Sequence, residues 1–249
     1  MKLTLPISQL ITKENISEFN NLADAYVLNG HNEVFIRSDK ELIHHISTPI
    51  LDIYNPEVTF YNRIARNNYC SCHLGMACLV PEREDYHYVS DKIMDRGEIK
   101  QKIKDKIEQL RKQGIKNIAL ENCNYYPYSA YQYICEPDFI KEVIEDNDIG
   151  FCLDIAHAIV SAWNMSDSFY NYVKRLPLDR ITEIHMSGHG MVGDQARDLH
   201  EAPGKNQFEI LDKINNTWKD LKDVYVIVEY YRCFKTLLNQ YITLKTLCK

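Results

Sequence analysis

The 249-residue sequence lacks any long uninterrupted hydrophobic run, and it lacks an excess of positive charge. No stretch approaches the ~18 apolar residues of a membrane helix, so a membrane-spanning protein is not expected. Lysine and arginine together number 29 against 35 aspartates and glutamates, a formal net charge of −6. Since nucleic-acid-binding domains usually carry a basic footprint, a nucleic acid is not the expected partner.

Cysteine is also too sparse for a disulfide scaffold, with eight residues in the chain. The first residues, MKLTLPISQLITKENIS, have an apolar stretch broken by Pro6, Ser8 and Gln9. They show no small-residue cleavage pattern of the kind that ends a secretory signal. The sequence therefore predicts a cytoplasmic protein with reduced thiols.

Neither a GxGxxG fingerprint nor a GxxxxGK[ST] loop occurs, so a dinucleotide or P-loop fold has no local support. From residue 97 onward, helix-period segments alternate with short apolar segments instead. Ile99, Ile103, Ile107 and Leu110 fall on one helical face, and Gly114 follows at a C-cap position. This alternation predicts a parallel sheet with connecting helices.

The individual elements follow from the same patterns. Strands are predicted near residues 3–7, 25–28, 42–46, 69–73 (YCSCH), 115–122, 150–154, 181–187 and 224–230. Helices are predicted near residues 14–23, 56–66, 99–110, 137–144, 208–221 and 234–247, with another that Ser166 caps and Pro177 closes.

The repeat length selects among parallel-sheet folds. Glu121 and Asp154, each at the end of a predicted strand, are 33 residues apart, and Asp154 and His185 are 31 apart. A (β/α)8 TIM barrel of ~250 residues has about 31 residues in each unit. We therefore predict one TIM-barrel domain over residues 1–249, with either a full or an abbreviated N-terminal unit.

Polar residues capable of binding metal recur at the ends of the predicted strands. In a parallel barrel, these ends meet in one mouth, where active sites are built. His157 lies in the same FCLDIAH segment as Asp154, and the DLHEAP segment could fold over the mouth. The eight candidate ligands are His73, Glu121, Asp154, His157, His185, Asp198, His200 and Glu229.

Eight donors exceed the three or so protein ligands of a single catalytic ion. Mixed imidazole and carboxylate donors suit iron, manganese or zinc, and a bridging carboxylate lets several ions share one mouth. A single such histidine is more often an ordinary hydrogen-bonded core residue. Five segments repeat the placement, however, while only Arg180, Arg197 and Lys205 are near enough in sequence to neutralise the carboxylates. The pattern favours a multinuclear metal site.

Two further features leave alternatives open. His44 and His45 lie in the third predicted strand, and either could be an additional ligand or an ordinary core residue. The tyrosines of NYYPYSAYQY (125–133) could wall a substrate groove or simply cover a loop.

The ordered motifs ALEN, CEPDFIKEVIE, FCLDIAHAIVSAWN, LPLDRITEIHMSGH, DLHEAP and IVEY resemble the multinuclear non-haem iron-dependent oxidases. That family includes the methanobactin-biosynthesis oxidase and the thiaglutamate-pathway oxidase, and the resemblance covers residues 68–230. It implies a xylose-isomerase-like barrel with two or three iron ions, which uses O2 to oxidise or rearrange cysteines of a ribosomally synthesised precursor peptide. A peptide-recognition partner protein is also implied.

By the same resemblance, seven of the eight candidates are assigned to metal; the eighth, His157, is kept as a candidate ligand although it stands where family members commonly have asparagine. Glu121, Asp154 and His185 are the predicted catalytic residues.

LDIAHA and DLHEAPG also resemble the endonuclease IV and sugar-isomerase branch of the same barrel superfamily, where the corresponding positions bind zinc or manganese. A metal-dependent phosphodiesterase or a sugar isomerase or epimerase is therefore the alternative. A third hypothesis is a non-catalytic barrel that binds metal or peptide.

Overall fold

The structure is a computed structural model that describes residues 1–28, 40–46, 48–52 and 68–247. Twelve strands lie in these residues: β1 (Lys2–Ile7), β2 (Ala25–Leu28), β3 (Glu41–Ile46), β4 (Tyr69–His73), β5 (Glu82–Glu84), β6 (His87–Val89), β7 (Asn117–Glu121), β8 (Gly150–Asp154), β9 (Ile181–Met186), β10 (Gly188–Val192), β11 (Gln195–Glu201) and β12 (Tyr225–Val228). Eight of them close a parallel barrel in the order β1-β12-β9-β8-β7-β4-β3-β2.

Six α-helices occur in the same residues: α1 (Arg96–Lys112), α2 (Pro137–Asp146), α3 (Ile155–Asn164), α4 (Phe169–Lys174), α5 (Lys205–Lys213) and α6 (Phe234–Leu247). In α1, Asp95 and Glu98 form a capping box, and the helix buries the predicted isoleucine and leucine face. Gly114 follows at φ 93°, a left-handed conformation that suits glycine just after a helix. None of the helices in the described ranges is long and apolar enough to cross a membrane.

Alternate residues of each barrel strand face the interior or the surrounding helices. Ala25, Val27, Ile43, Tyr69, Ala119, Cys152, Tyr225 and Ile227 form one small buried cluster inside the barrel. The larger cluster lies between the strands and the helices and includes Cys70 and Cys72. These two cysteines therefore face away from His73, as the alternation in YCSCH predicts.

Two antiparallel hairpins interrupt the alternation of strand and helix. One pairs β5 with β6 after barrel strand β4, and the other pairs β10 with β11 after β9. Both follow the carboxyl ends of barrel strands, which places them at the mouth. The second hairpin contains Asp198 and His200.

The predicted TIM barrel is confirmed, and most predicted elements lie within a few residues of those observed. Three details are wrong. The predicted helix 14–23 is only a 3-10 turn at Ile16–Phe19, and the helix predicted over 208–221 ends as α5 at Lys213 before a π-helical turn. Ser168, not Ser166, caps α4: Ser166 has a left-handed φ of 58°, whereas the Ser168 hydroxyl accepts from the Asn171 amide. The helix predicted at 56–66 lies outside the described residues.

Candidate metal centre

Glu121 lies at the centre of the mouth, at the end of β7, and its side chain is fully buried. Four imidazoles surround its carboxylate. Oε1 is 3.2 Å from His157 Nδ1 and 3.4 Å from His73 Nε2, while Oε2 is 3.5 Å from His185 Nδ1 and 3.7 Å from His45 Nε2. Histidines from four different segments of the chain therefore converge on one carboxylate.

Asp154 ends β8 and also begins α3. Its Oδ1 accepts a 2.6 Å hydrogen bond from the His157 amide, which satisfies one free donor in the first turn of the helix. The other oxygen, Oδ2, is buried without a hydrogen-bond partner. Asp154 thus holds the helix start with one oxygen and leaves the other available in the mouth.

The β10–β11 hairpin brings Asp198 and His200 over the mouth, as the sequence predicted. Asp198 Oδ2 is 3.4 Å from His157 Nε2 and 3.1 Å from His200 Nε2. His200 has a left-handed φ of 44°, and its amide donates to Asp198 Oδ1 at 3.2 Å. Its side chain is 46% exposed, so solvent or substrate reaches this edge of the mouth.

Glu229 follows β12 and completes the ring of donors. Its Oε1 is 3.5 Å from His185 Nδ1, and its Oε2 is 3.7 Å from His200 Nδ1. The hydroxyl of Tyr231 donates to Oε1 at 3.4 Å. The structure therefore brings together all eight residues that the sequence singled out.

Hydrogen bonds with the barrel wall fix the histidine rings. The Nδ1 of His45 is 3.0 Å from the Ser71 hydroxyl, which leaves Nε2 facing Glu121. The Nδ1 of His157 lies 2.9 Å from the Asn122 carbonyl, which accepts its hydrogen and leaves Nε2 toward Asp198. Partners of this kind orient metal-binding imidazoles in many proteins.

The electrostatics of the site reflect crowded carboxylates and imidazoles. Burial opposes ionisation of Glu121, but His73 and His185 outweigh it and hold the Glu121 pKa well below its usual value. Burial raises the pKa of Asp154 to about 7 and lowers that of His45 to about 3. Burial also disfavours the imidazolium of His157, but the carboxylates of Asp154 and Asp198 raise its pKa well above its usual value.

The donor set fits metal ions. Both oxygens of Glu121, Oδ2 of Asp154 and Nδ1 of His185 are buried without hydrogen-bond partners. Unpaired buried polar atoms are costly, and bound cations would satisfy them. Three overlapping triplets offer donor atoms within 4.8 Å of one another: His45–His73–Glu121, Glu121–Asp154–His157 and Asp154–His185–Glu229. The overlap at Glu121 and Asp154 suits bridging between ions.

The structure distinguishes His44 from His45. Ile43 belongs to the inner cluster, so His45, two residues later, points into the barrel beside Glu121. The tyrosines after Glu121 differ in exposure: Tyr126 and Tyr131 are buried in the loop, whereas Tyr125, Tyr128 and Tyr133 are partly exposed. These three line a cavity together with Tyr131.

Sequence reasoning missed Glu183 and Cys152. Glu183 lies 2.6 Å from His185 Nε2, and Cys152 has its sulfur within reach of a donor triplet with Glu121 and His185. Glu183 precedes His185 by two positions, and Cys152 precedes Asp154 by two. Because side chains alternate along a strand with a period of two, the members of each pair lie on the same face. That period was the signal available in the sequence.

Known structures share the fold across the whole chain. Endonuclease IV from Thermus thermophilus superposes with a TM-score of 0.61 at 12% identity over 99% of this chain and 98% of its own. A D-tagatose 3-epimerase-like protein gives 0.63 at 16% identity over 100% and 97% of the two chains. At these identities, the similarity establishes the (β/α)8 barrel fold and nothing more specific.

Similar sequences point to a narrower group. A UPF0276 protein of Paraburkholderia phytofirmans is 34% identical over 82 residues, which are 33% of this chain and 27% of the relative. A UPF0276 protein of Nitrosospira multiformis is 31% identical over 111 residues, 44% of this chain and 36% of the relative. The matches thus span about a third of these relatives' length. A model of the RiPP precursor modification enzymes MbnB/TglH/ChrH matches residues 65–238, and the chain belongs to that family.

Proposed function

We propose that this protein is a multinuclear non-haem iron-dependent oxidase that uses O2 to modify cysteine residues of a ribosomally synthesised precursor peptide. The family match supports peptide modification as the reaction class. The observation that carries the metal assignment is Glu121, whose two buried oxygens lack hydrogen-bond partners and face four histidines.

The proposed ligands form two main sets of donors around one centre. His45 and His73 with Glu121 offer one set of donors, and Asp154, His185 and Glu229 offer another. Asp198, His157 and His200 add donors from the hairpin side. When bound, iron would supply a redox centre that passes electrons from the cysteine side chain to O2. Imidazole and carboxylate donors suit iron, and a substrate thiolate is a suitable further ligand.

Among the described residues, the donors are covered from below and accessible from the upper edge of the mouth. The barrel interior below Glu121 is closed by the cluster that includes Tyr69 and Tyr225. The upper edge is open, since the side chains of His73 and His200 are 31% and 46% exposed. A cysteine side chain would therefore enter between the β10–β11 hairpin and the end of β4.

Two surface cavities lined by aromatic residues suit a peptide. Tyr125, Tyr128 and Tyr133 line a cavity of about 440 Å³, and Trp163, 59% exposed, borders a second of about 480 Å³. Partly exposed aromatic rings beside polar groups are typical of peptide-binding surfaces. We also propose that a separate recognition protein presents the peptide to this surface.

The decisive experiment combines metal analysis with a peptide assay. The protein is purified anaerobically, loaded with Fe²⁺ and mixed with a short cysteine-containing peptide encoded beside its gene. We expect two or three iron ions per chain and an O2-dependent mass change of the peptide. Glu121→Gln is expected to lose most of the metal and the mass change, because the amide cannot bridge ions as a carboxylate does.

Two results would contradict the proposal. One is a protein that binds no iron after anaerobic reconstitution and leaves the peptide unchanged. The other is cleavage of an abasic-site duplex by zinc-loaded protein, or epimerisation of a ketose by manganese-loaded protein, which would favour the endonuclease IV or sugar-isomerase alternative. Bound metal with no turnover of any of these substrates would instead indicate the non-catalytic barrel.

A further inference from the structure

Two glutamates lie fully buried inside the barrel, and their hydrogen bonding is opposite. Neither oxygen of Glu121 has a hydrogen-bond partner, as expected of a group that binds a cation. Both oxygens of Glu183 have partners: Oε1 is 2.6 Å from His185 Nε2, and Oε2 accepts a 2.9 Å bond from the Tyr69 hydroxyl. The two carboxylates therefore cannot have the same role.

The contacts of Glu183 continue beneath the mouth. Tyr69 donates its only hydroxyl hydrogen to Glu183, so the Thr182 hydroxyl, 3.1 Å away, donates to the tyrosine oxygen. Glu183 and His185 are two residues apart on β9, and both point into the barrel. This chain of Thr182, Tyr69 and Glu183 ends on His185, one of the proposed ligands.

The geometry assigns Glu183 as a positioning residue that holds the hydrogen of His185 on Nε2 and thereby presents Nδ1 to the metal centre. Nδ1 is the buried nitrogen without a hydrogen-bond partner, and it faces Glu121 Oε2 and Glu229 Oε1, both at 3.5 Å. A carboxylate behind an imidazole also increases the basicity of the metal-binding nitrogen. The inference rests on the proposed metal centre but not on the proposed oxidation.

A competing assignment makes Glu183 itself a ligand, since it forms a possible donor triplet with His45 and His185. The hydrogen bonds argue against it. An ion at Glu183 would displace the His185 or Tyr69 hydrogen and leave one of these buried groups without an acceptor, which is costly. Bound at Nδ1, an ion leaves every bond of the chain in place.

Zinc-loaded protein provides a direct test, because Zn²⁺ is diamagnetic and no turnover is required. In a sample with ¹⁵N-labelled histidine, we expect His185 to show a metal-bound Nδ1 and a protonated Nε2, with the downfield proton resonance of a short hydrogen bond to a carboxylate. A metal-bound Nε2 with a protonated Nδ1 would overturn the assignment. So would the absence of a hydrogen on Nε2, which would indicate that the ion lies at Glu183.

The second measurement is the Zn²⁺ affinity of variants, determined by competition with a chromophoric chelator. Glu183→Gln is expected to weaken binding by ~10- to 100-fold. Tyr69→Phe, which keeps the carboxylate, should weaken it less. The matched control is Glu41→Gln, which removes another tyrosine-bonded carboxylate, at the opposite end of the barrel, where Tyr225 donates to it at 2.5 Å. Its affinity should equal that of the wild type.

The outcomes separate this inference from the proposed function. Wild-type affinity in a folded Glu183→Gln protein overturns the inference alone. If that variant fails to fold, the wild-type resonances and Tyr69→Phe still decide the question. A wild-type chain that binds neither zinc nor iron contradicts the proposed metal centre, whereas zinc binding through Nδ1 without peptide oxidation contradicts the proposed reaction and supports the role of Glu183.

Discussion

His157 joins two parts of the mouth through its two ring nitrogens. Nδ1 is 3.2 Å from Glu121 and is held by the Asn122 carbonyl, while Nε2 reaches toward Asp198 on the hairpin, 3.4 Å away. No other histidine in the described residues has ring nitrogens within 4 Å of both the Glu121 carboxylate and a carboxylate of the β10–β11 hairpin. The imidazole therefore connects the barrel donors with the hairpin donors.

We predict that His157→Asn lowers the iron content by about one ion per chain, because the shorter amide cannot reach the side of the mouth that Asp198 occupies. Metal analysis after anaerobic loading measures the effect. The control is His87→Asn, since His87 is also buried but stacks on Tyr128 outside the donor cluster. Unchanged metal content in His157→Asn would show that the imidazole is not a ligand.

Cysteine reactivity is a second property that individual residues determine. Six of the seven described cysteines are buried, and burial raises the pKa of Cys70 to about 12 and of Cys123 to about 11. Cys233 is exposed, and the Thr236 amide lowers its pKa. Since the thiolate is the reactive form, these environments should differ greatly in alkylation rate.

We predict that iodoacetamide modifies Cys233 in the native protein at least 100-fold faster than Cys70 or Cys123. Peptide mapping by mass spectrometry reports each cysteine separately, and urea-unfolded protein provides the reference in which all react at similar rates. Comparable native labelling of Cys70 would contradict the packing of β4 against the helices.

At the scale of strands and helices, the sequence identified candidate metal ligands at the ends of strands more readily than residues inside a strand. His73, Glu121 and Asp154 are each the last residue of a barrel strand, and the 33 residues between Glu121 and Asp154 match one barrel unit. Glu183 was missed because it lies deeper in β9, where the sequence shows no boundary. Its contact with Tyr69 joins residues 114 positions apart, which no local pattern encodes.

Asp154 links helix α3 with the candidate metal centre. Its Oδ1 caps the helix, and its Oδ2 lies in the mouth without a hydrogen-bond partner. Burial raises its folded pKa to about 7 from the model-compound value of 3.8. The folded state therefore binds a proton more readily than the unfolded state. In metal-free protein, the contribution of Asp154 to stability falls as the pH rises from about 4 to about 7.

We predict that Asp154→Asn, without metal, is as stable as the wild type near pH 4 and more stable by a few kcal/mol near pH 7.5. The amide oxygen still accepts from the His157 amide, so the cap is retained. Urea unfolding of chelator-treated proteins at both pH values measures the difference, with exposed Asp91→Asn as the control. A stability difference that does not grow with pH would contradict the raised pKa.

At the scale of the whole molecule, hydrophobic periodicity and unit length were sufficient to predict the barrel. They predicted the individual helices less well in the N-terminal third. There the chain between β1 and β2 forms only one 3-10 turn, so the helix that the pattern predicted at 14–23 has no counterpart of its length. Short connections fold through contacts with the barrel rather than through their own propensity, which limits prediction from sequence. The choice of His45 over His44 likewise required the register of β3.

The donors come from strands around the barrel, so metal binding and global stability should be linked. Glu121, Asp154 and Glu229 belong to segments spread over more than 100 residues, and unfolding separates them. A ligand that binds only the folded state stabilises it by RT ln(1 + [L]/Kd), about 2.7 kcal/mol at a concentration of 100 Kd. For a chain of this size, that corresponds to a rise of about 5 to 10 °C in Tm.

We therefore predict that anaerobic addition of Fe²⁺ at 100 Kd raises the Tm of chelator-treated protein by about 5 to 10 °C, and that renewed chelation reverses the rise. Calorimetry or the far-UV circular dichroism signal follows the transition. Glu121→Gln is the control: its metal-free Tm should be lower than that of the wild type, since the surrounding histidines favour the Glu121 charge in the folded state, and Fe²⁺ should shift it little. An equal shift in both proteins would mean that the stabilising ion binds elsewhere, because only the barrel mouth depends on the Glu121 carboxylate.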